Sequence, residues 1–214
     1  EMGIRDSYIS NAVQQGDASL NPEKNSAFKI GSRYRQTGFS AVLSGFYTHG
    51  KDMIDWVQTT ETELTDSKYH VMNIGKLDNM GFNVDAEIYM NELLPRCFVT
   101  NIRLGYAYIN QNHETETEIL KSLYALEYLR HKAVFGLDHK IWSKLSASWS
   151  VRWQQRMNGY HPYTKVDCKV MWNDRKYSVY VKADNITCHR YYDLSAVKQP
   201  GLWVMAGVSV NLGW

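Results

Sequence analysis

The sequence lacks any long apolar run. None of its 214 residues lie in a stretch near the about 18 apolar residues a membrane-spanning helix needs, which excludes a helical membrane protein. It also lacks an excess of either charge. Against 22 Asp and Glu stand 24 Lys and Arg, and the net +2 is too near neutral to imply a nucleic-acid partner. Cys97, Cys168 and Cys188 show no CxxC spacing, cannot all pair and give no metal motif. The seven histidines form no HxH, HExxH or HxxxH arrangement, so neither a metal centre nor a cofactor is expected. Proline is scarce, at 4 residues. The chain opens Glu1-Met2-Gly3, without the basic and apolar segments of a secretion signal. Either a signal has been removed or the chain starts within a larger protein.

Aromatic residues, by contrast, are abundant at 13%, with 15 Tyr and 7 Trp. The dominant period is two, the signature of extended strands. Near the end, Leu202, Val204, Ala206, Val208, Val210, Leu212 and Trp214 fall on one face, with Gly207, Ser209, Asn211 and Gly213 on the other. With 44% of residues apolar, seven in a row on one face arise by chance about 0.3% of the time from a given start. Leu145, Ala147, Trp149, Val151 and Trp153 likewise oppose Ser146, Ser148, Ser150, Arg152 and Gln154. The same alternation runs through 82–90, 164–172 and 177–184. No charge falls on the apolar face of these five segments.

The pattern predicts nine strands, at 26–35, 39–50, 69–90, 98–110, 126–140, 145–157, 163–173, 176–185 and 202–214. The third is long, and a bulge is expected near 75–81, where the alternation blurs. Connections alternate between short (36–38, 91–97, 141–144, 173–176) and long (51–68, 111–125, 158–162, 186–201), with room for a helical turn within 114–126. That alternation fits short periplasmic turns and longer extracellular loops, the chain ending on the periplasmic side.

A soluble β-sandwich would also alternate, with its apolar face inward. Three features favour a membrane barrel. Several strands reach the about 9–11 residues that a tilted membrane strand requires. Apolar-face aromatics gather near strand ends: Tyr34, Phe39, Trp142, Trp172, Tyr177 and Trp214 at the short turns, Phe28, Tyr47, Tyr106, Tyr108 and Trp153 at the long loops. The opposite faces carry Lys29, Arg33, Asp85, Glu87, Arg103, Lys132, Asp138, Arg152, Lys165, Asp167, Lys169, Lys182 and Asp184. Burying so many charges in a soluble core would cost several kcal/mol each unless paired, whereas a wet or polar-filled lumen removes the cost. The fold class expected is therefore all-β, an antiparallel transmembrane β-barrel. Single-chain bacterial barrels have even strand numbers, so nine strands are expected to be the C-terminal portion of a larger barrel.

Particular motifs carry a family resemblance. Ser19-Leu20-Asn21-Pro22-Glu23-Lys24-Asn25 resembles "xLxPExS". Met53-Ile54-Asp55-Trp56, then Tyr69, Asn73-Ile74-Gly75-Lys76 and Gly81-Phe82-Asn83-Val84, resemble "DxIxW … YxNxGxxxxxGxE", with Asn83 where Glu is usual. Asp184-Asn185-Ile186-Thr187, Tyr191-Tyr192-Asp193 and Gln199-Pro200-Gly201-Leu202-Trp203 resemble "NLxDxxYYD … xQPGR", with Leu202 in place of Arg. Together these are similar to the C-terminal barrel of TonB-dependent outer-membrane receptors, across essentially the whole chain, the closing motifs looking most like the vitamin B12 or siderophore branches. The resemblance implies a 22-stranded barrel plugged by an N-terminal domain. Residues 1–214 would then be the C-terminal part of the barrel, with the plug and TonB box upstream. It implies location in the outer membrane of a Gram-negative bacterium and uptake of cobalamin or a ferric siderophore, energised by the TonB complex. Further partners implied are outer-membrane lipid and the barrel-assembly machinery, the latter reading Trp214 as its C-terminal signal.

Within that frame the loop aromatics Trp56, Tyr160, Tyr163, Tyr191 and Tyr192, with Arg190, are candidates for ligand contact; anchoring at the water–lipid interface is the expectation for at least half of them. Asp85, Glu87, Arg103, Lys132, Arg152, Asp167, Lys182 and Asp184 are candidates for facing the lumen and a plug, or for cross-strand pairing. A barrel or surface-binding protein without a plug is the main competing function. An outer-membrane hydrolase would draw on His161 or His189 with Asp193, which loop proximity alone supports weakly.

Overall fold

Alternation over ten or more residues gives an extended chain two unlike faces, and its backbone groups must then bond to neighbouring strands. The computed structural model describes residues 10, 14–65, 68–114, 119–122, 128–157, 161–191 and 199–210. In chain order these contain β1 (Gln14–Gln15), β2 (Lys24–Gln36), β3 (Phe39–Lys51), β4 (Ile54–Thr59), α1 (Thr60–Thr65), β5 (Tyr69–Asn73), β6 (Lys76–Tyr89), α2 (Met90–Leu93), β7 (Val99–Glu114), β8 (Ile119–Ser122), β9 (Leu129–Lys140), β10 (Leu145–Arg156), β11 (Tyr163–Asn173), β12 (Tyr177–Asp184) and β13 (Trp203–Val210). Nine of them form one antiparallel sheet, ordered β13-β12-β11-β10-β9-β7-β6-β3-β2, with β2 and β13 at its open edges. Eight of these are strands the alternation predicts, and the ninth, β6, is the second part of the predicted strand 69–90. Residues 211–214, and with them Trp214, lie outside the described residues.

The register puts one unbroken apolar surface on one side. From strand to strand it runs through Ile30, Gly45, Phe82, Tyr108 and His131, and further on through Val151, Val166, Val179 and Val208. Phe28, Ile30 and Val208 are each about two-thirds exposed, at 65%, 66% and 67%, and among the described residues no second layer covers them. A β-sandwich would hide this face; hydrocarbon is what stabilises it uncovered by protein. Strands of 13, 13, 14 and 16 residues in β2, β3, β6 and β7 are long enough to cross tilted.

A run of aromatic rings crosses the apolar band. Phe82, Tyr106, Tyr108, His131 and Trp153 follow one another at 5.0–6.2 Å from the middle of β6 and β7 to the long-loop ends of β9 and β10, and the Tyr106 hydroxyl bonds His131 Nδ1 at 2.8 Å. Near the short-turn rim Trp149 Nε1 donates to His139 Nε2 at 3.1 Å, and Tyr34 meets Phe39 at 6.2 Å.

Three local expectations need correction. The segment 69–90 is not one bulged strand. It divides at Ile74-Gly75 into β5 and β6, and β6 pairs with both β3 and β7 without a register shift. The break is a backbone event: Asp52 and Gly75 take φ of 54° and 88°, and Met53 and Ile74 bridge the gap through their main chains. Residues 51–68, expected to be a loop, contain β4 and α1. Within 114–126 the described residues hold β8 rather than a helical turn, because β4 offers an edge to which it pairs. The result is a second sheet at the long-loop rim, ordered β1-β5-β4-β8. It has a small core of its own, with Val57 and Val71 buried and Asp55 receiving the Ser122 hydroxyl.

At Gly81 the wall is tightest, since a Cβ would sit 2.3 Å from the Tyr108 carbonyl oxygen and 2.9 Å from the Phe46 ring laid across it. Gly81→Ala is expected to lower stability by about 1–3 kcal/mol. Gly45→Ala, whose Cβ would meet nothing nearer than 3.7 Å, should stay within about 0.5 kcal/mol. Thermal unfolding in detergent separates the two.

A second expectation concerns the short-turn rim, where Lys144 Nζ bonds Asp174 Oδ2 at 2.6 Å and holds that half-buried carboxyl below the ordinary aspartate range, helped by the Arg175 N–H. A depressed folded value means the contact stabilises above the unfolded aspartate value and is lost as pH falls through the folded one. A carboxyl titration followed by NMR should show Asp174 protonating late on acidification, and Lys144→Met should move its midpoint back up.

Candidate functional site

The face opposite the apolar band collects the charges, and cross-strand register decides which of them meet. Toward the short-turn side Glu87 accepts bonds from Asn101 Nδ2 at 2.6 Å and the Tyr89 hydroxyl at 2.7 Å. Arg103 forks onto Asp138 at 2.9 and 3.1 Å, a two-point fit that a lysine would not make. Asp85 takes Asn83 Nδ2 at 3.1 Å, and Ser44 donates to the same amide's oxygen. Between these groups lies a depression of about 360 Å³, lined by Ser40, Asp85, Glu87, Arg103 and Ser150, with Gly105 and Gly136 leaving its floor low.

Toward the long-loop side the balance turns positive. Arg152 of β10 stands directly opposite Lys165 of β11, and Lys132 of β9 stands opposite Gln154, one step along the same face. Lys165 lies 3.3 Å from Asp167, whose oxygen also receives the Asn185 N–H at 2.8 Å. Lys182 pairs with Asp184 at 2.9 Å, and Lys169 Nζ sits 4.6 Å over the Tyr180 ring. Among the described residues no carboxylate pairs with Lys132 or Arg152, and the buried Arg152 Nε has no partner. Like charges directly opposed in a sheet repel, so this strip is a ready receptor for an anion.

Above the strip the last long loop is pinned by one side chain. Asn185, buried and at φ 54°, donates to the carbonyls of His189 and Pro200 and accepts from the His189 N–H and the Thr187 hydroxyl. This folds the loop back so that Tyr191 stacks on the Tyr163 ring at 4.4 Å, with His189 stacked at 6.4 Å. Gln154 bonds the Tyr163 hydroxyl and fixes that ring to the wall.

The eight charged candidates, Asp85, Glu87, Arg103, Lys132, Arg152, Asp167, Lys182 and Asp184, thus all lie on one face, divided between an acidic-and-paired lower zone and a cationic upper one. Of the loop candidates, Arg190 is exposed, Tyr191 belongs to the aromatic stack, and Trp56 is half-buried in β4 opposite Val71. Tyr160 and Tyr192 lie outside the described residues, as does Asp193 of the hydrolase reading. The roles of Asn185 as loop hub and of the Asp55–Ser122 pair in the rim sheet were not anticipated. Asn185 had a signal, since a polar residue closing a strand before a long loop is a natural capper; the Asp55–Ser122 contact spans 67 residues and had none.

Residues 3–186 match the family described as TonB dependent receptor-like, β-barrel. Among solved structures the chain is similar to the copper transporter OprC, with a TM-score of 0.68 and 15% identity over 90% of this chain and 32% of that one. It is similar to the FrpB iron transporter of Neisseria meningitidis (F3-3 variant), with a TM-score of 0.65 and 16% identity over 92% of this chain and 31% of that one. For the siderophore receptor PirA of Acinetobacter baumannii the values are 0.61 and 13%, over 91% and 32%. At such identities the likeness is one of fold, and the chain spans about a third of the length of these structures.

Removing the Asn185 amide should release the last long loop. Asn185→Ala is expected to cost about 1–3 kcal/mol, because buried loop groups lose their partners, and to speed proteolysis within 186–202. Asn185→Gly tolerates the positive φ but lacks the amide. If it behaves like Asn185→Ala, the hydrogen bonds and not the backbone conformation hold the loop.

Proposed function

As the chain belongs to the TonB dependent receptor-like β-barrel family, we propose that it forms part of the barrel wall of an active-transport receptor in the outer membrane of a Gram-negative bacterium. The apolar face meets lipid and the charged face lines the lumen. The lower zone of Asp85, Glu87, Arg103 and Asp138 receives a plug domain, through which the TonB complex supplies energy. The open edges of β2 and β13 pair with further strands of the same barrel, and Trp214 serves the barrel-assembly machinery as its terminal aromatic. The protein performs no bond chemistry; it binds and passes a ligand.

The observation that carries the ligand class is the cationic strip of Lys132, Arg152 and Lys165 below the long loops, with Arg152 Nε unpartnered. Such a strip favours an anionic ferric siderophore over cobalamin, which offers little charge for it to meet. Among the proteins of similar structure are a copper transporter, an iron transporter and a siderophore receptor, which agrees with a metal-related cargo. Arg190, Tyr191 and Trp56, with Tyr160 and Tyr192, supply stiff contact surfaces at the mouth.

Ligand binding to the natural full-length protein in detergent tests this. Arg152→Ala should weaken binding of a triply anionic ferric catecholate about tenfold, equivalent to about 1.4 kcal/mol. Arg152→Lys should retain most of the affinity. Unchanged affinity for ferric siderophores in Arg152→Ala, or tight binding of cobalamin alone, would overturn the siderophore reading.

A further inference from the structure

The apolar face carries one feature that a uniform hydrocarbon solvent does not call for. Register places four rungs on the outward side of β2, β3 and β6, climbing toward the long-loop rim. They are Ile30–Gly45–Phe82, Phe28–Tyr47–Met80, Ser26–His49–Asp78, and Lys24 opposite Lys51. The lower two rungs surround a groove of about 550 Å³, rimmed by Phe28, Ile30, Tyr47, Met80 and Phe82 and open because position 45 has no side chain. Such a volume lies within the about 300–1,000 Å³ of sites that take whole small ligands.

The top rung sets two ammonium groups against each other. Lys24 and Lys51 are exposed and directly opposed, and among the described residues no carboxylate pairs with either. Of the nearby acids, Asp52 follows Lys51 in sequence and leaves the pair of ammonium groups one positive charge in excess, and three others are engaged elsewhere. Glu23 accepts the Ile54 N–H at 2.6 Å, Asp78 holds His49 at 2.6 Å and the Tyr47 hydroxyl at 2.9 Å, and Glu114 pairs with Lys76 at 3.0 Å. Opposed like charges destabilise a strand pair unless an anion sits between them. At about 3.3 Å per residue the lysines lie about 13 Å along the strand from the Phe28–Tyr47 rung, less along the membrane normal because barrel strands tilt. Long lysine side chains reach back along an apolar surface toward the headgroup level.

We propose that this face binds one acyl lipid bearing a phosphate headgroup, its chain lying in the groove over Gly45 and its phosphate held between Lys24 and Lys51. The site rests on the membrane placement proposed above, with the long-loop rim at the outer leaflet, but not on the identity of the transported ligand. Charge selects the headgroup and the groove selects the chain, so either alone binds weakly. The site gives this sector of the wall a fixed lipid rather than an exchanging one.

Native mass spectrometry of the natural full-length protein in detergent, titrated with dioleoyl phosphatidate, tests the site. One lipid per protein should be retained, with dioleoylglycerol and inorganic phosphate each at least tenfold weaker. Lys24→Glu/Lys51→Glu should lose at least tenfold in phosphatidate binding. Gly45→Leu should do likewise by filling the groove, while unfolding at an unchanged temperature, since a Cβ there meets nothing nearer than 3.7 Å. Both variants should bind ferric siderophore as the unaltered protein does. Equal phosphatidate retention by the lysine variant, or equal binding of dioleoylglycerol, overturns the proposal. Binding of inorganic phosphate as tight as the lipid's marks a soluble-anion site and also overturns it, as does a dimer that forms in place of lipid binding. If the unaltered protein retains the lipid but binds no ferric siderophore, the siderophore reading fails and the lipid site stands. If it binds siderophore but no lipid, the reverse holds.

Discussion

Inside a bilayer a peptide group has no water to turn to, and each unbonded N–H or C=O costs several kcal/mol. That constraint organises nearly everything in this chain. Nine strands satisfy it sideways, through ladders that run almost without interruption from β2 to β13. Once backbone groups are committed laterally, side chains have only two directions left, and the period of two sorts lipid-seeking residues from charged ones. The charges are then not a cost but a resource, because they share a face with one another and with water.

The interruption of the ladders is as informative as their regularity. At Asp52 and Gly75 the chain enters conformations that leave the strand geometry, and a second sheet begins with a different order and its own buried centre. The wall is governed by the membrane, while the rim sheet is governed by ordinary globular packing: Val57 and Val71 excluded from water, Asp55 hidden but bonded. Where the last loop leaves β12, Asn185 does by side-chain bonds what strand pairing does below it.

The wall was legible in the sequence because its signal is local. Leu145 through Gln154 reads as a strand from ten residues alone, and the aromatics near strand ends declare where the hydrocarbon stops. The division of charge was half legible. Alternation placed Arg152 and Lys165 on the polar face, but only register shows them opposite each other. The rim sheet was not legible. Alternation in β4 is lost, since Val57, Gln58 and Thr59 are all buried, and β8 gains its partner from sixty or more residues away. The break at Gly75 was misread as a bulge because a glycine after a fading alternation announces irregularity without saying which kind.

The hinge at Asp52 and Gly75 also bears on how such a protein can diversify. Lys51 and Lys76 end the paired wall strands on either side of it, and everything between them returns to the same point. Residues can be gained, lost or wholly replaced within that excursion without shifting a single rung of β3 against β6. Descent can therefore rewrite the crown of this sector freely while the staves beneath it keep their places.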